Sequence, residues 1–200
     1  MGCWSCHAET GAGALCPACG RVQPLVPGRT YFELFGLAPV HALDGRALDA
    51  RYRELSLKLH PDRVPAGDAR SRRHAVEQTA ELNAAHRALK DPSARAFYLL
   101  KLHGVDLLTE HGGHNASLPL EFLEEIMALR EELDGARRRK DLAAAQAMGA
   151  KVDATRRGAL DAAVRALDTQ DTQVAAPALM RVRYFQRFLE EVAALEEEAL

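Results

Sequence analysis

Two hundred residues, 48% apolar and 27% charged, are the proportions of a globular chain with room for two or three small domains, and no segment approaches the ~20 consecutive apolar residues that span a bilayer. Basic and acidic residues nearly cancel, 26 against 28, which leaves no cationic surplus to displace counterions from nucleic acid. The opening MGCWSCHAETGAG has neither a basic nor an apolar signal region, so a reducing cytoplasm is expected, and Cys6 stands where a myristoylation signal wants Ser or Thr.

All four cysteines fall at the N-terminus, as Cys3-x-x-Cys6 and Cys16-x-x-Cys19. Each such turn places two thiolates on one side of a metal, and two turns complete a tetrahedral shell with Zn–S distances of about 2.3 Å. In CPACG, Pro17 stiffens the turn and Gly20 is free to take positive φ. Structural zinc is the favoured occupant. Iron in a rubredoxin-like site is one alternative, and a pair of disulfides, which a reducing compartment disfavours, is another. Four protein sulfurs leave no coordination position for a substrate, so a catalytic metal is not expected. His7, beside Cys6, reads as a surface residue.

After the Pro/Gly linker QPLVPGR, Thr30-x-x-Glu33 reads as a capping box opening a short helix, YFELFGL. Asp44 can cap the next helix, in which Leu48, Tyr52, Leu55 and Leu59 recur at i, i+4, i+7 and i+11 as one apolar stripe. His60 and Pro61 stop it. Arg46, Arg53 and His60 fall together on the opposite side, a basic ridge facing water. A loop follows, and a third helix over about 71–90 turns Ala75, Thr79, Leu82 and Leu89 inward. Asp91-Pro92, a cap with proline at the first helical position, opens a fourth helix through ARAFYLLKLHG.

A short helix, a basic helix ending in His60-Pro61-Asp62, a loop and a returning helix resemble the J-domain of DnaJ-type co-chaperones, and YRELSLKLHPDR is similar to that family's second helix. The resemblance implies that His60, Pro61 and Asp62, with Arg46 and Arg53 beside them, dock on a heat-shock chaperone of the DnaK/HscA type and stimulate its ATP hydrolysis. The residues agree with a non-enzymatic role. His60 and Asp62 are two apart and share no helical face, and no Ser or Cys nucleophile is placed with them. A carboxylate on a rigid turn suits a charge-assisted bond from a partner's arginine, and the ridge would steer toward an acidic surface.

GVDLLTEHGGHNASLP reads as a linker, in which His111 and His114 belong to a glycine turn rather than a metal site. Three helices are expected after it, over about 119–134, 138–168 and 177–199, broken at Gly135 and at TQDTQVAAP. Short connections make them an antiparallel three-helix bundle. On the first, Phe122, Ile126, Leu129 and Leu133 form a core stripe, while Leu120, Leu123 and Met127 form a second stripe about 100–160° around the helix. On the last, Val182, Phe185, Leu189 and Val192 form the core face, with Tyr184, Phe188 and Leu195 on another. Burial against neighbours and an exposed partner site both account for the second stripes.

YLLKLHGVDL and REELD, behind a J-domain, resemble HscB, the co-chaperone family of iron–sulfur cluster assembly. The resemblance implies that the bundle binds the scaffold protein IscU through Leu123, Met127 and Glu131 in FLEEIMALREELD, with Tyr184 in RVRYF as the aromatic partner. Eukaryotic members carry a similar four-cysteine segment beginning with CW.

The expected protein is therefore mainly α: a cysteine module over 1–28, a J-domain over 29–104, a linker over 105–118 and a scaffold-binding bundle over 119–200. A J-protein for general folding clients is the nearest rival. A nucleic-acid-binding zinc finger would need a basic stripe, and the module offers only Arg21 against Glu9. A thiol–disulfide oxidoreductase would need one Cys-x-x-Cys at a helix start on a strand–helix scaffold, which the pattern lacks.

Overall fold

The computed structural model describes residues 2–11, 13–65, 68–107 and 118–198. His111 and His114 lie outside the described residues, as does most of the expected linker. Among the described residues the regular structure is helical, with two isolated β-bridges, Gly2 to Glu9 and Leu15 to Val22, in the cysteine module. The chain divides into two compact units, Met1–Arg95 and Ala96–Leu200.

The first unit joins the cysteine module to α1 (Tyr31–Phe35), α2 (Gly45–Leu59) and α3 (Ala69–Lys90). The capping box forms as expected: the Glu33 amide donates to Thr30 Oγ1 at 3.1 Å, and the Thr30 amide donates to the Glu33 carboxylate at 2.7 Å. Gly36, at φ 67°, ends α1 in the left-handed region that favours glycine. Asp44 caps α2 by accepting from the amides of Arg46 and Ala47. Leu48, Leu55 and Leu59 are buried, and Tyr52 is half-buried with its hydroxyl donating to Asn83 Oδ1 at 2.8 Å. α2 and α3 pack as a hairpin.

On α3, Ala75, Leu82, Ala85 and Leu89 are buried. Thr79 is half-buried and spends its hydroxyl on the last carbonyl of α2, Leu59 O, at 3.2 Å. The residue beside it, Gln78, is fully buried, and its amide group is satisfied on both ends. It donates to Gln23 O at 2.9 Å and Pro24 O at 3.1 Å and accepts from Arg29 Nη2 at 2.7 Å.

α4 (Pro92–Leu102) starts as the Asp91-Pro92 pair predicts, with Asp91 Oδ1 accepting from the Ala94 amide at 2.6 Å. Just inside it, buried Arg95 donates to the carbonyls of Leu89 and His41 and fixes the α3–α4 turn.

The second unit holds α5 (Leu120–Arg139), α6 (Leu142–Asp168) and α7 (Thr172–Glu198), the expected three-helix bundle. Two expected boundaries are corrected. Gly135 does not break α5, because Leu133 and Ala136 on either side of it are both buried and the helix runs on until Lys140 turns left-handed at φ 56°. α7 begins at Thr172 rather than 177, since Asp171 caps it by accepting from the Val174 amide at 3.1 Å. Pro177 sits near the helix start, where its missing N–H frees only one exposed-side carbonyl.

For the second stripe of α7, burial is the one of the two open readings that holds for Phe188 and Leu195. Phe188 is fully buried and Leu195 nearly so, both within the bundle core with Phe122, Ile126, Leu133, Phe185 and Val192. α7 packs against both α5 and α6, so its apolar arc must be wide enough for two neighbours. Close approach of α6 to α7 is set by Gly149, where a Cβ would meet Val192 Cγ1 at 3.2 Å.

Candidate functional site

The two Cys-x-x-Cys segments fold as similar turns. The His7 amide donates to Cys3 O at 3.0 Å and the Gly20 amide to Cys16 O at 2.9 Å, and both donors take positive φ, 62° and 71°. The four Sγ atoms lie within 4.8 Å of one another. Cys3 Sγ is 3.7 Å from Cys19 Sγ and Cys6 Sγ is 3.6 Å from Cys16 Sγ. A tetrahedral tetrathiolate centre with bonds of about 2.3 Å has edges of about 3.8 Å, so the donor set fits a four-coordinate metal ion. The thiols are free, and no pair is disulfide-bonded.

The amides of Ser5 and Cys6 and the Gln23 side chain donate to Cys3 Sγ at 3.3, 3.5 and 3.4 Å. Burial raises the Cys3 thiol, but the backbone amides of Cys6 and Ser5, with the Cys6 and Cys19 thiols adding to them, outweigh it and draw the pKa down to about 6. Cys6 moves the other way: the Ala8 amide lowers it, yet its cysteine neighbours push it up to about 12. Thiols this close resist collective ionisation until a cation compensates them. His7 is exposed and stays outside this sulfur set.

Trp4, within the first turn, seats the module on α3. Its indole donates to Val22 O at 2.8 Å, its ring lies 5.9 Å from that of His74, and the guanidinium of Arg70 stands 4.5 Å over its face. Arg21 pairs with Asp68, the residue that caps α3. Gln23 and Arg29 reach Gln78 further along the same helix. Sequence reasoning did not find these contacts, although a tryptophan next to a metal turn and a glutamine in an apolar register were visible.

At the far end of α2 the chain leaves the helix at His60, with ψ 128°, because the residue before a proline is driven out of the α region. Pro61–Arg63 form one 3-10 turn. His60 Nδ1 accepts the Asp62 amide at 3.2 Å, and Arg63 donates to Leu57 O at 3.3 Å, so both ends of the turn are tied. The His60 side chain is 54% exposed and the Asp62 carboxylate 91% exposed. Arg46 and Arg53 are also exposed, on the same side of α2. The expected docking residues thus share one side of the helix but not one end: Arg46 stands in the first turn of α2, Arg53 in the middle, and His60 just past its last residue.

On α5 the two stripes separate. Phe122, Ile126 and Leu133 are buried, while Leu120 is 67% and Met127 63% exposed, Leu123 is half-buried and Glu131 is exposed. Tyr184 comes from α7 to meet this helix, packing edge-on against Phe122 with ring centroids 5.9 Å apart. It is half-buried, at the border of the core.

These two surfaces coincide with two family matches. Residues 30–98 match the DnaJ domain, and residues 118–193 match the HSCB C-terminal oligomerisation domain. An iron–sulfur cluster co-chaperone protein HscB homolog of Arabidopsis thaliana is 32% identical over 191 residues, covering 96% of this chain and 73% of the relative. A co-chaperone protein HscB homolog of Burkholderia multivorans is 35% identical over 165 residues, covering 82% and 93%. The crystal structure of human co-chaperone protein HscB superposes with a TM-score of 0.86 at 28% identity, covering 98% of each chain. Matches to both modules in this order, together with a relative 32% identical over 96% of the chain, make it a member of the HscB co-chaperone family.

Proposed function

We propose that the chain is a J-protein co-chaperone of iron–sulfur cluster assembly, the role printed in the name of its Arabidopsis relative. In this reading His60, Pro61 and Asp62, flanked by Arg46 and Arg53, dock on an Hsp70-type chaperone of the DnaK/HscA class and stimulate its ATP hydrolysis. The bundle face of Leu123, Met127 and Glu131, with Tyr184 at its edge, binds the scaffold IscU. Holding client and chaperone on one chain raises the effective concentration of each for the other. The hydrolytic chemistry belongs to the partner.

The observation that carries the reading is the pairing of an outward Asp62 carboxylate in the first unit with an apolar stripe exposed on α5 in the second. A carboxylate fixed on a tied turn suits a charge-assisted bond, and exposed Leu and Met side chains suit a protein client. Zinc fits the four thiolates and closes the cysteine module without leaving an open position, which makes it structural. A site of four thiolates needs reduced cysteines, which a reducing, cytoplasmic setting would supply.

The test combines two measurements on the full chain. Replacing Asp62 with Asn abolishes stimulation of the chaperone ATPase; unchanged stimulation rejects the docking site. Leu123→Ser with Met127→Ser removes capture of purified IscU while leaving ATPase stimulation intact. Failure of the native chain to capture IscU favours a general folding client instead.

A further inference from the structure

Asp49 lies inside the basic ridge of α2 and is held away from it. At about 100° per residue it falls roughly 60° from Arg46 and 40° from Arg53, on the side of His60. An acid four residues before a cation is the favourable order for an intrahelical ion pair, and Asp49 stands in that order to Arg53. Such a pair would cancel charge in the middle of the ridge. The structure shows a different partnership.

Asp49 Oδ1 is 2.7 Å from His86 Nε2 and its Oδ2 is 3.2 Å from Lys90 Nζ, both on α3. The His86 bond, then the Lys90 bond, holds the carboxyl below the usual range. His86 is itself oriented by stacking on Tyr52, with ring centroids 4.0 Å apart and planes 17° from parallel. The remaining acid of α2, Glu54, is taken by Arg51 at 2.6 Å and Lys58 at 2.7 Å. The cap Asp44 is engaged with backbone amides. Each acid on or capping α2 is therefore engaged by groups other than the guanidiniums of Arg46 and Arg53, and those two exposed guanidiniums form no ion pair among the described residues.

We infer that His86 and Lys90 are positioning residues for chaperone docking: by clamping Asp49 against α3 they keep Arg46 and Arg53 available to an acidic partner surface. This rests on the ridge being the chaperone-docking face. The two residues need not touch the partner. Their effect passes through Asp49, which without them is free to swing along α2 to Arg53.

The test titrates full-length protein into a DnaK-type chaperone and reads ATPase stimulation. His86→Phe, which keeps a ring for Tyr52 to stack on, is combined with Lys90→Met. This double variant is expected to raise the half-saturating concentration about three- to ten-fold, with stimulation at saturation unchanged. Adding Asp49→Asn, which removes the competing charge, is expected to restore the wild-type value. A rise that Asp49→Asn does not reverse assigns the clamp a merely structural role and overturns the inference, as does an unchanged half-saturating concentration. Lys90→Met alone, at an exposed side chain, gives the same shift at smaller amplitude should the double variant fail to fold. Arg46→Ala with Arg53→Ala serves as the separate control: if it stimulates like wild type, the docking face itself is wrong and the inference falls with it.

Discussion

Arg21 of the cysteine module pairs with Asp68, the carboxylate that starts α3. Asp68 also accepts from the Ser71 amide at 2.9 Å and from the Ser71 hydroxyl at 2.7 Å. One side chain thus caps a J-domain helix and anchors the module that precedes the J-domain, and it sits just past the loop that follows His60-Pro61-Asp62.

The Ser71 amide bond first, then the Ser71 hydroxyl, with Arg21 adding to them, hold Asp68 below its usual range. A depressed folded-state pKa contributes stability that is present above the unfolded value, about 3.9, and is lost as pH falls through the folded value. Thermal melts of the wild type should therefore drop in midpoint below about pH 4. In Asp68→Asn, whose amide oxygen can still cap the helix, the drop is expected to be shallower. Parallel curves for the two proteins would show that Asp68 contributes no pH-dependent stability.

Trp4 is the single tryptophan of the chain, so its emission reports the module alone. Stripping the metal with a chelator should loosen the turn that carries it, expose the half-buried ring and shift emission to the red. Readdition of zinc should reverse the shift. Emission that ignores chelation would mean that α3, rather than the metal, holds the module in place.

The two apolar stripes of the bundle should differ in mutational cost. Phe188→Ala empties a fully buried position and is expected to cost about 3–5 kcal/mol in urea unfolding of the bundle. Met127→Ser, at a 63% exposed position, is expected to stay within about 0.5 kcal/mol. Equal costs would place Met127 in the core.

Arg29 is a buried cation shared between Gln78 and Glu81. Arg29→Met is expected to lower stability by about 3–5 kcal/mol, since it strands Glu81 and one end of the buried glutamine. Adding Gln78→Leu with Glu81→Leu should recover part of the loss, because an apolar set of similar volume has no unpaired groups to desolvate. A melting point unchanged in Arg29→Met would show that the network contributes little.

Much of the site was legible because its determinants are local. Two Cys-x-x-Cys turns, a capping box at Thr30, an aspartate cap before Pro92 and a proline after His60 fix backbone geometry through neighbours a few residues away, and the structure carries each of them. The α5 stripes were also readable, since Met127 lies about 100° or more from its buried neighbours Ile126 and Leu133. On α7 the same reasoning needed one more step. Phe188 lies only about 60° from Phe185, so the two positions form one broad arc rather than two faces.

Sequence alone thus determined which segments are helical, where the outward tripeptide falls and which sulfurs gather, because each depends on short-range periodicity and backbone constraint. Tertiary packing decided the rest. Whether Asp49 serves Arg53 or His86, whether Phe188 is buried, and whether Trp4 meets solvent or α3 depend on which surface arrives from a distant part of the chain. A side chain with two chemically acceptable partners takes the one that the fold places within bonding distance, and helical spacing carries no record of that choice.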